Sequence, residues 1–540
     1  MSTSPDLSEI EAALRVGDRA RAADLAAAAV EAGAKDPVLF RLKAEALTKA
    51  GDFDGALAWL ERGVVAAPED AGLVAGLGRL LVDLDRHGDA IPVFQRAIAM
   101  NPELAEAHFG LGESLGAFGE VILARACFAN ALYYRQDYPD AEAALATLLA
   151  RVGDPVAARR HAERVLLQAP GHRAATYALA ATDVAQKQYG AAALRLAALV
   201  ADPDTGPVLR ASSLCLQGDA LHGQGRPRQA FDAWRRGKAL FRQIYEPTFA
   251  SAAEAAEALL DLLTGYFKTA PAQAWANAPH MAAEPTDPAG HVFLMGFNRS
   301  GTTLLEQVLA AHPDIVTLEE RPLLLEAERA FMHEAEGLDA LARIDADAVA
   351  RYRQAYWRAV RALGVEPQGK VFVDKMPMNA ANLPLIAKLF PNAKILFAVR
   401  DPRDVALSCF RHAFTMNGSN FLMLTPEGVA ELYDKVMGLA VLLRERLPLA
   451  EQEVRYERLV EDFEAECRAV CAFLGIDWSP AMADFAERAR ERSIATPSAG
   501  QVREGLYRGG EGQWRVYREE LAPILPALAP WVERFGYPPE

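Results

Sequence analysis

Apolar residues in the first 240 positions recur at helical spacing in runs of about a dozen residues, broken by Gly-Asp or similar turns as in KAGDFDGALAWLERG and RHGDAIPVFQRAI. A second helical run and a proline stop follow each turn. The runs around Ala56, Ala90, Ala124, Ala158 and Ala192 step by 34 residues, Leu77-Gly78 returns as Leu111-Gly112, and Pro68 returns as Pro102. This spacing predicts two helices per period, in about seven units: 6–36, 38–70, 71–104, 105–138, 141–173, 174–206 and 208–240. Small alanines at the repeated position predict close helix approach, with stacked neighbours burying a continuous core.

The texture changes after Phe241. Helical periodicity continues through FRQIYEPTFASAAEAAEALLDLLTGYFKTA, and PAQAWANAPHMAAEPTDPAG then reads as a linker. The expected organisation is helical repeats over 1–240, a helical connector and linker over 241–290, and an α/β domain over 291–540. Within the last, 292–295, 370–373 and 395–399 read as strands and 302–311 and 382–389 as helices. Strands alternating with helices predict a central, mostly parallel sheet, whose ligand lies beyond the carboxyl ends of the strands.

Composition narrows the partners. The 540-residue, 58.5 kDa chain is 51% hydrophobic and 24% charged, an ordinary globular balance. Its formal charge of −15 and sequence pI of about 5.3 argue against nucleic acid or anionic lipid as partners, so an anionic ligand needs a locally basic pocket. Five cysteines without a C-x-x-C pair fit a reducing compartment and carry no zinc pattern. The amino terminus has no signal-peptide core and no run is long enough to span a membrane, so a cytoplasmic location without membrane insertion is expected.

Three strand ends carry the candidate chemistry. After the first, Gly296-Phe297-Asn298-Arg299-Ser300-Gly301-Thr302-Thr303 turns into a helix, an arrangement whose backbone N–H groups suit a phosphate-sized anion. The spacing is that of a P-loop, but Thr302 stands where that motif has lysine, which lowers the prospect of a nucleoside triphosphate with magnesium. Lys375 follows the second strand, and Arg400 and Ser408 follow the third. Arg299, Lys375, Arg400 and Ser408 should thus converge on one sheet edge. Alone, the glycine loop also reads as a tight turn, and Arg400 as a partner for Asp401 or Asp404.

The first half resembles the tetratricopeptide repeat family, with Leu or Ala at several of its aromatic positions. The second half, over about 290–536, resembles the sulfotransferase family, and within it the protein-tyrosine sulfotransferases. The residues that carry this likeness are Arg299-Ser300-Gly301-Thr302-Thr303, His312-Pro313-Asp314, Glu319-Glu320, Val454 to Val460, Phe473-Leu474-Gly475-Ile476, Gln501-Val502 and Trp514. Together they imply an all-α tetratricopeptide-like superhelix followed by an α/β P-loop-like sulfotransferase domain.

The resemblance implies 3'-phosphoadenosine 5'-phosphosulfate (PAPS) as sulfuryl donor, 3'-phosphoadenosine 5'-phosphate as product, and no metal. It places Asn298, Arg299, Ser300, Gly301, Thr302 and Thr303 at the 5'-phosphosulfate, Arg400 and Ser408 at the 3'-phosphate, Lys375 and Arg299 at the leaving oxygen, and Glu319 as base with Glu320 beside it. Four positions depart from the family pattern. Arg321-Pro322 replaces a threonine and arginine, His412 stands for an expected 3'-phosphate arginine, and Glu504 for a cofactor lysine. Arg503, one place earlier, is the substitute cofactor contact.

In-line sulfuryl transfer requires fixed cations on the leaving side and a base for the acceptor proton. The acceptor is expected to be a hydroxyl, with a protein or peptide tyrosine as one candidate and a small molecule, lipid or carbohydrate as others. The repeats suit a protein or peptide acceptor, another partner, or a second copy of the chain. A repeat scaffold with an inactive sulfotransferase-like domain is the alternative.

Overall fold

The computed structural model describes residues 7–279, 287–491, 505–506 and 508–539. Among the described residues, fourteen helices follow one another in the first half, from Leu7–Arg15 and Arg19–Glu31 to Pro207–Gly223 and Pro227–Thr269. Their starts follow from local chemistry: Asp18, Asp36, Asp52, Asp70 and Asp154 each accept a backbone N–H of the first turn they precede. Ala56, Ala90, Ala124, Ala158 and Ala192 all have zero exposure, as the 34-residue spacing requires. The recurring glycine has a matching cause, because a Cβ at Gly78 or Gly112 would lie 2.7 Å from the Phe94 or Phe128 ring.

The chain divides into two compact units, 1–188 and 189–540. The last repeat pair therefore belongs with the α/β part. Position 240 falls inside the 43-residue helix Pro227–Thr269, which continues into the expected connector and contains Pro247. Within the second unit this helix packs beside Gly418–Leu422 and Pro426–Arg446.

The α/β part is built on β1 (Gly290–Gly296), β2 (Ile315–Glu319), β3 (Val371–Lys375), β4 (Lys394–Val399) and β5 (Ala450–Arg455). All pairings are parallel, in the order β2-β3-β1-β4-β5. Strands β1, β3 and β4 are the three legible as apolar runs. The edge strands escape that reading for a physical reason: β5, AEQEVR, is exposed or half-buried except at Val454, and β2 is only five residues long. A second difference concerns Lys375. It is the last residue of β3 and has no exposed surface, rather than following the strand in a turn.

Candidate active site

The carboxyl ends of β1, β3 and β4 lie side by side, and backbone bonds stitch them. Gly296 N–H donates to Pro377 O at 2.9 Å and Met376 N–H to Leu294 O at 3.0 Å. Beyond β1 the loop reaches the helix Thr302–Ala310 through Arg299 at φ 67° and Gly301 at φ 101°. At Gly301 a side chain would be strained by the backbone and would also meet the Tyr456 ring at 2.8 Å. Arg299 holds the left-handed conformation without that freedom, as does Glu320 at φ 44°. Strain of this kind persists where surrounding structure over-determines it, and here it falls on two residues of one cavity.

Arg299 Nε donates to Ser408 Oγ at 3.0 Å, and Arg400 Nη1 donates to the Arg299 carbonyl at 3.1 Å. Arg400 also donates to Gly510 O and stacks over the Tyr456 ring, with Cζ 4.8 Å from its centroid. Burial, and after it the neighbouring Arg400 cation, brings the Arg299 guanidinium down to about 10, so it remains charged at neutral pH. Burial raises the Cys409 thiol to about 12; still protonated, it donates to Asn298 O at 3.4 Å. Neither Asp401 nor Asp404 hydrogen-bonds Arg400. Asp401 takes both forks of Arg403, while Asp404 accepts Gly512 N–H and Trp514 N–H and so fixes the late loop beside Arg400.

On the other side Lys375 Nζ lies 2.6 Å from Glu320 Oε1, 3.3 Å from Glu319 Oε1 and 3.5 Å from Glu306 Oε2. Burial alone would lower this lysine. The three carboxylates outweigh it and hold the ammonium well above its ordinary range. Register explains the geometry, since Glu319 is the β-ladder partner of Lys375 and Glu320 N–H donates to Lys375 O at 2.7 Å.

A cavity of about 240 Å³ lies between these groups. Asn298, Arg299, Gly301, Thr302 and Thr303 line one side, Glu320 and Met376 to Met378 another, and Phe414, Asn417, Ser419 and Asn420 a third. Of the expected residues, Glu319, Lys375, Ser300, Arg400 and Ser408 are not among those that line it. Arg503 and Glu504 lie outside the described residues. His412 contributes its carbonyl to the buried Lys238 ammonium, and its ring faces Phe414 at 4.8 Å.

Two groups were not singled out from sequence. Glu306 is a buried carboxylate in the otherwise mostly apolar helix TTLLEQVLA, and that isolation is the signal that could have found it. The wall 414–420 has no such local signal. It is held by Lys238 and by Gly418, which lies directly against the Ala252 backbone.

Comparison with known proteins follows the same division. Residues 291–480 match the sulfotransferase family, and residues 7–71 and 76–126 match the tetratricopeptide repeat. The chain therefore joins tetratricopeptide repeats to a sulfotransferase-family domain. An uncharacterized protein of Aquifex aeolicus is 28% identical over 246 residues, covering 44% of this chain and 32% of that protein. Nodulation protein NoeE of Sinorhizobium fredii is 30% identical over 218 residues, 34% of this chain and 50% of that one. Protein-tyrosine sulfotransferase 2 of Gallus gallus is 30% identical over 201 residues, 35% of this chain and 52% of that one. The chain thus spans a third to a half of the length of these relatives. Among the described residues no helix is long and apolar enough to cross a membrane, and no His, Cys, Asp or Glu cluster is arranged to hold a metal.

Proposed function

We propose that the protein is a sulfotransferase that moves a sulfuryl group from PAPS to an acceptor hydroxyl. The observation that carries this reading is the convergence of the half-buried Arg299 and Arg400 on a strained anion loop, with Glu320 of the carboxylate–lysine cluster lining the same cavity as Arg299. The fit of the donor rests on groups that want an anion. Among the described residues Ser300 Oγ and Arg400 Nε are buried without a hydrogen-bond partner, and the helix beginning at Thr302 presents its first N–H groups to the loop.

When bound, PAPS supplies the activated sulfuryl group and a phosphate leaving oxygen. Asn298 to Thr303 would hold its 5' end and Arg400 and Ser408 its 3'-phosphate, with Arg503 as a further cofactor contact. Arg299 and Lys375 oppose the negative charge that grows on the leaving side. The acceptor proton passes to the Glu319–Glu320 pair, and Glu320 is the member that borders the cavity. No metal enters this scheme, because the fixed cations already oppose the leaving charge.

The likeness to protein-tyrosine sulfotransferases, together with the repeats, favours a tyrosine in a protein or peptide as acceptor, with the repeats as its recruiting surface. Five cysteines without a C-x-x-C pair suit a reducing, cytoplasmic setting. Incubation of the purified protein and a host lysate with PAPS carrying radioactive sulfur tests the activity. A labelled polypeptide that disappears with Lys375→Ala is expected. Equal labelling by both forms would overturn the proposal, and a labelled small molecule, lipid or sugar would replace the acceptor.

A further inference from the structure

We propose that Glu306 is a positioning residue for the transfer, the group that keeps Lys375 charged and in place while the two outer carboxylates work on the acceptor. This rests on the sulfotransferase reading of the site and extends it to a residue behind the cavity.

The three carboxylates around Lys375 are not equivalent. The side chains of Glu320 and Glu319 are 40% and 18% exposed, whereas that of Glu306 is 2% exposed. Among the partners of its carboxylate, Thr317 Oγ1 donates to Oε1 at 3.1 Å, and Lys375 Nζ lies 3.5 Å from Oε2. Thr317 is two residues before Glu319 on β2, and Glu306 lies on the helix that begins in the anion loop. One side chain thus joins the loop helix, β2 and the tip of β3.

An isolated buried charge is costly by several kcal/mol, so a carboxylate on an apolar helix is tolerated chiefly because it is paired. The pairing also answers a need of the reaction. When a cavity-side carboxylate takes the acceptor proton it becomes neutral, and its attraction for Lys375 falls. Glu306, 2% exposed and absent from the cavity lining, does not face the acceptor and so is not the group that takes its proton. The ammonium then remains protonated, and its bond to Glu320 becomes the exchangeable one.

The test compares Glu306→Gln, which keeps the shape and removes the charge, with Glu306→Asp, which keeps the charge and leaves a void. Single-turnover consumption of radioactive PAPS is measured alongside 3'-phosphoadenosine 5'-phosphate affinity by calorimetry. The expected result is a loss of about tenfold or more in rate for Glu306→Gln, affinity within about twofold of wild type, and a smaller rate loss for Glu306→Asp. A purely structural role gives the opposite order, because glutamine fills the site better than aspartate. That order, or a wild-type rate for Glu306→Gln, overturns the inference. Should Glu306→Gln not fold, Thr317→Val reads the same restraint, with a several-fold rate loss expected and no loss overturning it. A wild-type protein that consumes no PAPS overturns the sulfotransferase reading itself and this inference with it.

Discussion

Lys375 and Glu320 meet across the tips of β3 and β2, Nζ to Oε1 at 2.6 Å, with the lysine fully buried and the glutamate at the cavity edge. The same tips carry a backbone bond in the other sense, Glu320 N–H to Lys375 O. The cation and the carboxylate are therefore fixed relative to each other by the sheet and not by the reach of two long side chains.

This arrangement predicts unequal roles for the adjacent glutamates. Glu320→Gln should lower the transfer rate by about 100-fold or more, the usual yield of a general base, while product affinity stays near wild type. Glu319→Gln should cost less, because Glu319 is not among the residues that line the cavity. Equal losses in a radioactive transfer assay would show that the pair acts as a unit.

Arg400 makes a different prediction. Its guanidinium is placed by two carbonyls and by Tyr456, and its Nε has no acceptor among the described residues. Loss of a charged hydrogen bond is worth about 1.5–3 kcal/mol, so Arg400→Ala should weaken 3'-phosphoadenosine 5'-phosphate binding by about 10- to 150-fold in calorimetry.

The wall 414–420 depends on the last repeat helix. A Cβ at Gly418 would clash with the Ala252 backbone, and overpacking of this kind costs about 1–3 kcal/mol. Gly418→Ala should therefore lower stability in urea by that amount and raise the acceptor KM more than it changes product affinity. Lys238→Met should act in the same direction, by releasing the His412 carbonyl.

Burial raises Asp374 to about 7 while Tyr356 donates to it at 2.8 Å. The folded protein therefore holds a proton that the unfolded chain, with an ordinary aspartate near 3.9, has released. Its contribution to stability is full below about 4 and is lost as pH rises through about 7, with a slope of up to about 1.4 kcal/mol per pH unit. His291, lowered to about 3 by burial, acts in the opposite sense, its penalty growing as pH falls below about 6.5. Asp374→Asn removes only the first dependence. Its stability relative to wild type, followed by urea unfolding, should increase between pH 4 and pH 8.

The repeat half was legible because its signal is periodic. Every 34 residues the same alanine must be buried, and a chain that repeats a packing constraint shows the constraint in its letters. The central strands were legible for a related reason, being buried on both faces and hence continuously apolar. Edge strands β2 and β5 were not, since one is short and the other half-exposed.

The candidate residues of the anion loop and of β3 and β4 were marked by their places at strand ends, and sequence alone determined that these chemistries belong to one protein and one sheet edge. Tertiary structure decided which groups actually meet. Glu306 reaches Lys375, Glu320 rather than Glu319 borders the cavity, and a repeat helix supports the wall 414–420. Such contacts join positions 69 to 174 residues apart, through packing that leaves no periodic trace, because each is made once.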